Sequence, residues 1–437
     1  MDEFKSLLKD YVSFKTISTD KNFLNEIKNC SQWLANLFAK NKFNVKVIEG
    51  FGNPIILAEY IFDKSKKTCL IYGHYDVQPA NLNEGWRNDP FVLLEDKNKF
   101  YARGVADNKG QNLIHIFSIS QLKKENKLNY NIKFLIEGNE ETGSEKLPLF
   151  IKKFKNLLKS DFVLISDGEI VNNIPIIDSG FRGVVNFSLI IKTANKDFHS
   201  GLYGGAIPNS VHEAIKILSK LFKNEDEIRI KDFYKGIKLK KEIIENNKKL
   251  PFNIKKFKKE NNLKKLFIKN LDFYSKTGLW PTLQITGIAA GYYGEGYRNA
   301  IPGETLIKFN LRFLENQNVN ELKKSIKNFF REKIPNYVNY ELKFEDFTPA
   351  VSLDLKNEYI QRAKDILKSV FKREAVFKFS GGTLPIVYYL KNILKVPQVL
   401  VPLANEDCNM HSINENFNKS LIEKGLLFSK LFFSNGK

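Results

Sequence analysis

NIKFLIEGNEETGS, residues 131–144, runs from an apolar stretch straight into Glu137, Glu140 and Glu141. The apolar part is short, rich in Ile and Phe, and bounded by Gly138, which reads as a buried strand. Carboxylates set this close repel one another, so their concentration at a strand end calls for a compensating charge. The same design recurs along the chain. TCLIY leads into GHYDVQP with His74 and Asp76, DFVLI into SDG with Asp167, and QVLVPL into ANEDCNMHS with His411. RGVADNKG places Asp107 just before a predicted helix that follows Gly110. Short Val/Ile/Leu/Phe runs separated by helical patterns, such as QNLIHIFSISQLKKE, argue for a mostly parallel sheet covered on both faces. In such sheets ligands bind beyond the carboxyl ends of the strands.

The donor set at that edge is His and carboxylate without thiolate. It suits a divalent ion such as Zn²⁺, Mn²⁺ or Co²⁺ in an open, hydrolytic site. Two ions about 3.5–4 Å apart would share a bridging carboxylate and neutralise the clustered acids. Taken singly, each residue has an ordinary reading. Asp107 could be a helix cap, Asp167 a turn residue, and Glu140 with Glu141 a solvated turn. His115 and His212 fall inside helical patterns and read as structural. The conjunction at one edge favours the metal reading, with Asp76 placed to orient the ring of His74.

From residue 183 the pattern changes. VVNFSLIIKT, PTLQITGIAA, ETLIKFNLRFL and YVNYELKFE read as strands, PNSVHEAIKILSKLFK and NVNELKKSIKNFFREK as helices. That βαββαβ order is ferredoxin-like, interrupted by a lysine-rich helical insertion at 224–279. After residue 350 the α/β alternation resumes. The expected fold is therefore an α/β core, residues 1–182 and 349–437, with an inserted α+β unit at 183–348. A chain of 437 residues is long enough for two such units.

Composition narrows the function classes. With 43% hydrophobic and 27% charged residues the chain is an ordinary globular protein. The net charge of +20 is almost all lysine, spread along the chain without a basic stripe carrying stacking aromatics, so no nucleic-acid partner is expected. The absence of an apolar run of about 20 residues argues against a membrane span. MDEFKSLLKDYVSF lacks an apolar signal core, and Cys30, Cys69 and Cys408 form no CxxC pair, which together point to the cytoplasm.

GHYDVQP (73–79), RGVADNKG (103–110), EGNEETGS (137–144), SDG (166–168), HSGLYGG (199–205), RNAIPG (298–303) and SGGTLP (380–385) together resemble the M20 family of metallopeptidases, most closely its carnosinase-like, cytosolic dipeptidase branch. The resemblance implies a di-metal core with an inserted lid that also dimerises. It implies one metal on His74 and Asp167, the other on Glu141 and His411, and Asp107 bridging. Glu140 would be the general base and Asp76 the support of His74. His199 would stabilise the oxyanion, in dimeric members from the neighbouring subunit. Asn299 and Arg312 would hold the substrate's carboxylate end, and Ser380, Gly381 and Gly382 would bring backbone close to the substrate. The implied substrate is a small peptide. N-acyl-amino-acid deacylases and succinyl-diaminopimelate desuccinylases are the rival within the same chemistry; they tend to carry Thr after the metal His, where this chain has Tyr75. Gly168 departs from the branch, which often has an amide or hydroxyl residue there.

Overall fold

The computed structural model describes residues 1–223, 227–239 and 241–434; residues 224–226 and 240 of the expected insertion lie outside the described residues. Its central sheet has six strands, in the order Asn44–Ile48, Ile55–Tyr60, Asn131–Glu137, Thr68–His74, Phe162–Ile165 and Gln398–Leu400. The last four run parallel, and Ile55–Tyr60 is antiparallel to both of its neighbours. In this register His74 lies opposite Glu137 and Tyr72 opposite Ile165. The carboxyl ends of the parallel strands consequently share one edge.

Alternation along each strand divides the core in two. Cys69 and Ile71 face a cluster that includes Ile132, Phe134, Phe162 and Leu164, packed by helices Asp2–Ser13, Leu24–Lys40, Lys109–Lys124, Glu358–Phe371 and Lys419–Phe433. Leu70 and Tyr72 face the other cluster, with Leu135, Val163, Ile165 and Leu400 against Phe150, Ile151, Val387 and Leu390. Helix Lys109–Lys124 is buried along almost its whole length, so even Lys109 is enclosed; its Nζ donates to the carbonyls of Tyr11 and Phe14 at 3.1 and 2.8 Å. This helix and the sheet set the position of Asp107. On the same face Phe134 is fully buried against Phe38 and Phe43, and its truncation to Ala would cost about 3–5 kcal/mol by emptying that volume.

The antiparallel sheet has the order Thr282–Ala290, Glu304–Phe313, Gly183–Lys192 and Asn339–Thr348, the arrangement expected of a ferredoxin-like unit. Its strands bury one face, where Phe187, Leu189, Phe309 and Leu311 pack against Ala214, Ile217, Ile326 and Phe330 from helices Ser210–Ser219 and Val319–Lys333. A three-stranded sheet of Val351–Ser352, Ile176–Phe181 and Val376–Ser380 completes the pairing between early and late segments. The Val376–Ser380 strand therefore belongs there and not to the central sheet, because its parallel partner is Ile176–Phe181.

The insertion is not only a solvated lysine surface. Its helices Lys241–Asn247, Ile254–Glu260 and Phe273–Leu279 expose most of their lysines, but Leu279, Ile243 and Ile244 pack on Phe379, and Leu250 and Tyr274 enter the main core. Among the described residues no helix is long and apolar enough to cross a membrane.

Candidate active site

His74 ends its strand fully buried. Its Nδ1–H donates to the carbonyl of Asp76 at 3.1 Å, and its Nε2 faces Asp107 Oδ1 at 3.1 Å and Asp167 Oδ2 at 3.7 Å. The Asp76 side chain, expected to orient that ring, stands 3.4 Å from Nδ1 and does more elsewhere. Its oxygens accept from the amides of Glu140 and Glu141 at 3.1 and 3.0 Å and from Ser18 Oγ at 2.7 Å. Asp76 thereby ties the His74 loop to the loop carrying both glutamates.

Asp107 uses its second oxygen on His411, whose Nε2 lies 2.9 Å from Oδ2 and 3.2 Å from Glu141 Oε2. His411 has a left-handed φ of 60° and its side chain is 53% exposed, so the cluster opens on this side. Two donor groups result: His74, Asp107 and Asp167, and Asp107, Glu141 and His411, each with its ligand atoms within 4.8 Å of one another. Asp107 is no helix cap; Asn108 occupies the position before Lys109–Lys124.

The electrostatics describe an acid surplus. Burial and the neighbouring Asp107 push Asp167 up to about 7. Burial, with Asp167 and Asp107 nearby, raises Glu140 well above the carboxylate range. Hydrogen bonds to Asp107 and Glu141 raise His411 to about 10. Asp107 itself is held low: burial opposes its charge, but hydrogen bonds from His411 and His74 outweigh it. Two imidazoles cannot balance Asp107, Glu140, Glu141 and Asp167 without such shifts. An imidazole nitrogen and carboxylate oxygens in each of two triads, with Asp107 shared between them, fit a pair of divalent cations taking the place of the ring protons.

Several supports lacked a local sequence signal. Glu415 is fully buried and accepts from the amides of Gly104, Ala106 and Asp107 and from Arg103 Nη1, all within 3.0 Å, which fixes the Asp107 loop. Gln78 Nε2 donates to Glu141 Oε2 at 2.7 Å; it lies inside GHYDVQP, so the motif could have indicated it. Glu137, which the sequence left without a role, is buried. One of its oxygens accepts from Tyr72 Oη at 2.7 Å and Ser144 Oγ at 2.9 Å, closing the 138–144 loop. Burial raises its carboxyl to about 7. His115 is structural, its ring between Ser166 Oγ and Ser429 Oγ at 2.8 and 3.1 Å. Gly168 adopts a φ of +112°, a conformation open to few other residues, and its carbonyl accepts from Gln111 Nε2 at 3.2 Å.

Among the described residues the remaining candidates make no hydrogen bond to the cluster. His199 is exposed on a short strand pair with Ala300, its Nδ1 accepting from the Gly201 amide at 3.1 Å; the proton is thus on Nε2, an outward donor. Asn299 is exposed beside it, its carbonyl accepting from the Ser200 amide at 3.0 Å. Arg312 Nη1 donates to Thr383 Oγ1 at 2.6 Å. Ser380 ends its strand, with Gly381 and Gly382 following into a turn in which Ser380 Oγ accepts from the Gly382 amide at 3.3 Å.

Comparison with known proteins agrees with this geometry. The profile of peptidase family M20/M25/M40 matches residues 70–434. Beta-Ala-His dipeptidase of Homo sapiens is 32% identical over 390 residues, covering 87% of this chain and 77% of that protein. The Cys-Gly metallodipeptidase of Schizosaccharomyces pombe is 29% identical over 459 residues, covering 99% and 94%. Among solved structures, an M20 family metallo-carboxypeptidase from Sulfolobus solfataricus superposes with a TM-score of 0.88 at 27% identity, over 99% of both chains.

Proposed function

The chain belongs to peptidase family M20/M25/M40, and on that premise we propose that it is a dipeptidase or carboxypeptidase-type enzyme cleaving an amide bond next to a free carboxylate. The observation that carries this reading is Asp107, whose two oxygens face His74 and His411 separately within one donor cluster. The site residues would divide as two triads, His74 and Asp167 on one side, Glu141 and His411 on the other, with Asp107 common to both. Two divalent cations held there, Zn²⁺ by preference and Mn²⁺ or Co²⁺ as alternatives, would supply Lewis acidity towards a scissile carbonyl and lower the pKa of water.

Glu140 accepts a proton from the attacking water and passes it to the leaving amine. Its amide is fixed by Asp76, so the carboxylate is aimed before substrate arrives. His199 offers Nε2–H to the developing oxyanion, and its exposure supports delivery from a second copy of the chain. Arg312 and Asn299 hold the substrate's carboxylate, where a guanidinium can bond through two parallel donors. In this reading residues 1–182 and 349–437 form the catalytic unit and 183–348 the lid, through which the homodimer assembles; separate apolar clusters on the two sheets support the division. Three free, buried cysteines support a reducing compartment such as the cytoplasm.

The test is a panel of dipeptides, C-terminally amidated dipeptides, and N-acetyl and N-succinyl amino acids on Zn²⁺- and Mn²⁺-reconstituted protein. Hydrolysis of free dipeptides well above all others is expected. Preference for the acyl amino acids would replace the reading with that of a deacylase.

A further inference from the structure

Arg182 follows the Ile176–Phe181 strand, where the chain leaves the three-stranded sheet for the antiparallel one. Its Nε donates to the Gly381 carbonyl at 3.0 Å and its Nη1 to the Trp280 carbonyl at 2.9 Å. Its own carbonyl accepts the Thr383 hydroxyl at 2.9 Å. That hydroxyl oxygen in turn accepts from Arg312 Nη1 at 2.6 Å, while Arg312 Nε donates to Asn310 Oδ1 at 3.1 Å. One residue therefore grips the 380–383 turn at two points, the end of the lysine-rich insertion, and, through Thr383, the guanidinium of Arg312. Gly381 is fitted to this grip: a Cβ there would stand 2.5 Å from the Thr277 carbonyl and 3.1 Å from Arg182 Nη2.

The charges are as informative as the bonds. Arg182 is only 9% exposed, and a buried cation normally has a carboxylate beside it. Among the described residues neither Arg182 nor Arg312 has an ion-pair partner; their recorded hydrogen bonds go to carbonyls, a hydroxyl and an amide. Burial, and next the charge of Arg312, lower Arg182 to about 10, still protonated at neutral pH. Two neighbouring guanidiniums without a counter-charge favour an incoming anion at the free face of Arg312.

We propose that Arg182 is the positioning residue of the substrate-carboxylate seat. It holds Arg312, Thr383 and the Gly381 backbone in one mutual geometry without itself touching the substrate. The proposal rests on the reading of Arg312 given above. The fork of the guanidinium is essential, since a lysine ammonium at that place cannot reach both the Gly381 and Trp280 carbonyls in the same plane.

The experiment compares Arg182→Gln, Arg182→Lys and Thr383→Val with the wild type on a dipeptide and on the same dipeptide with an amidated C-terminus, with metal content and circular dichroism recorded for each. Arg182→Gln is expected to raise KM for the free dipeptide by about 10–100-fold, with kcat changed much less, as loss of an aligned charge-assisted contact implies. Amide hydrolysis should change little, so the dipeptide-to-amide preference collapses. Thr383→Val should move the same ratio in the same direction, and it keeps the test alive if Arg182→Gln does not fold. Arg182→Lys should fail to restore the ratio. A folded Arg182→Gln or Thr383→Val that keeps the wild-type ratio overturns the proposal, as does full rescue by Lys. If the wild type itself shows no preference for the free carboxylate, the reading of Arg312 fails first and takes this proposal with it.

Discussion

At the edge of the parallel sheet Asp107 meets His74 and His411 within 3.1 Å, whereas His199 stands exposed on a two-stranded pair with the Gly201 amide on its ring. The first group is held from behind. Asp76, Glu415 and Gln78 fix the loops that carry it, and Glu137 closes the loop of Glu140 and Glu141. The second group, His199 with Asn299, is held among the described residues by its own short strand pair and turn. A cluster of like charges must be fixed in advance, because its members repel until cations or protons arrive. A residue that acts on a bound substrate needs only to be delivered to it.

The sharpest way to break this contrast is at Glu140. Glu140→Gln should retain its bound metal and lose about 10²–10⁴-fold in kcat, as removal of a positioned general base does. Metal analysis beside steady-state kinetics checks both halves, and a metal-loaded variant with undiminished kcat contradicts the assignment.

The His199 side is tested by mixing. His199→Ala should lower kcat by about 10²–10³-fold, the loss typical of one oxyanion donor. If a second copy supplies it, co-expressing His199→Ala with Glu140→Ala should recover roughly a quarter of the wild-type rate, since half the random dimers carry one intact site. Recovery of nothing would place His199 and Glu140 in the same chain's site.

A smaller effect lies in the framework behind the cluster. Burial lowers His115 to about 3, so the folded state keeps it neutral while the unfolded chain protonates it below about 6.5. The unfolded state then binds more protons, and stability falls as pH drops from about 6.5 towards 3. Between pH 7 and pH 5 this residue should account for about 2 kcal/mol of the loss. Urea unfolding of wild type and His115→Gln at both pH values should show that difference; equal losses would mean the ring titrates normally.

The parallel sheet and several of its candidate ligands were legible because His74, Glu141 and Asp167 each follow an apolar run within a few residues, as His74 follows TCLIYG. The ferredoxin-like order was legible from period-two alternation, as in VVNFSLIIKT, where alternate residues enter the core under the antiparallel sheet. What stayed hidden depends on distant partners. Glu415, in SINENFN, has the local look of a surface acid, and only folding brings the Asp107 loop onto it. Lys109 sits in a motif yet reads as solvated, although Tyr11 and Phe14 enclose its ammonium. Asp76 was legible beside the ring of His74, 3.4 Å away, but its further partners, the amides of Glu140 and Glu141, are 64 and 65 residues away. Arg182 carried no signal, since its grip joins segments 98 and 199 residues distant.

The central claim is that Asp107 is common to two metal positions. Native mass spectrometry of the metal-reconstituted chain, wild type against Asp107→Ala, tests it directly. Two ions per wild-type chain, and loss of both in a folded Asp107→Ala, are expected. A single ion in the wild type, or two retained without Asp107, would contradict it.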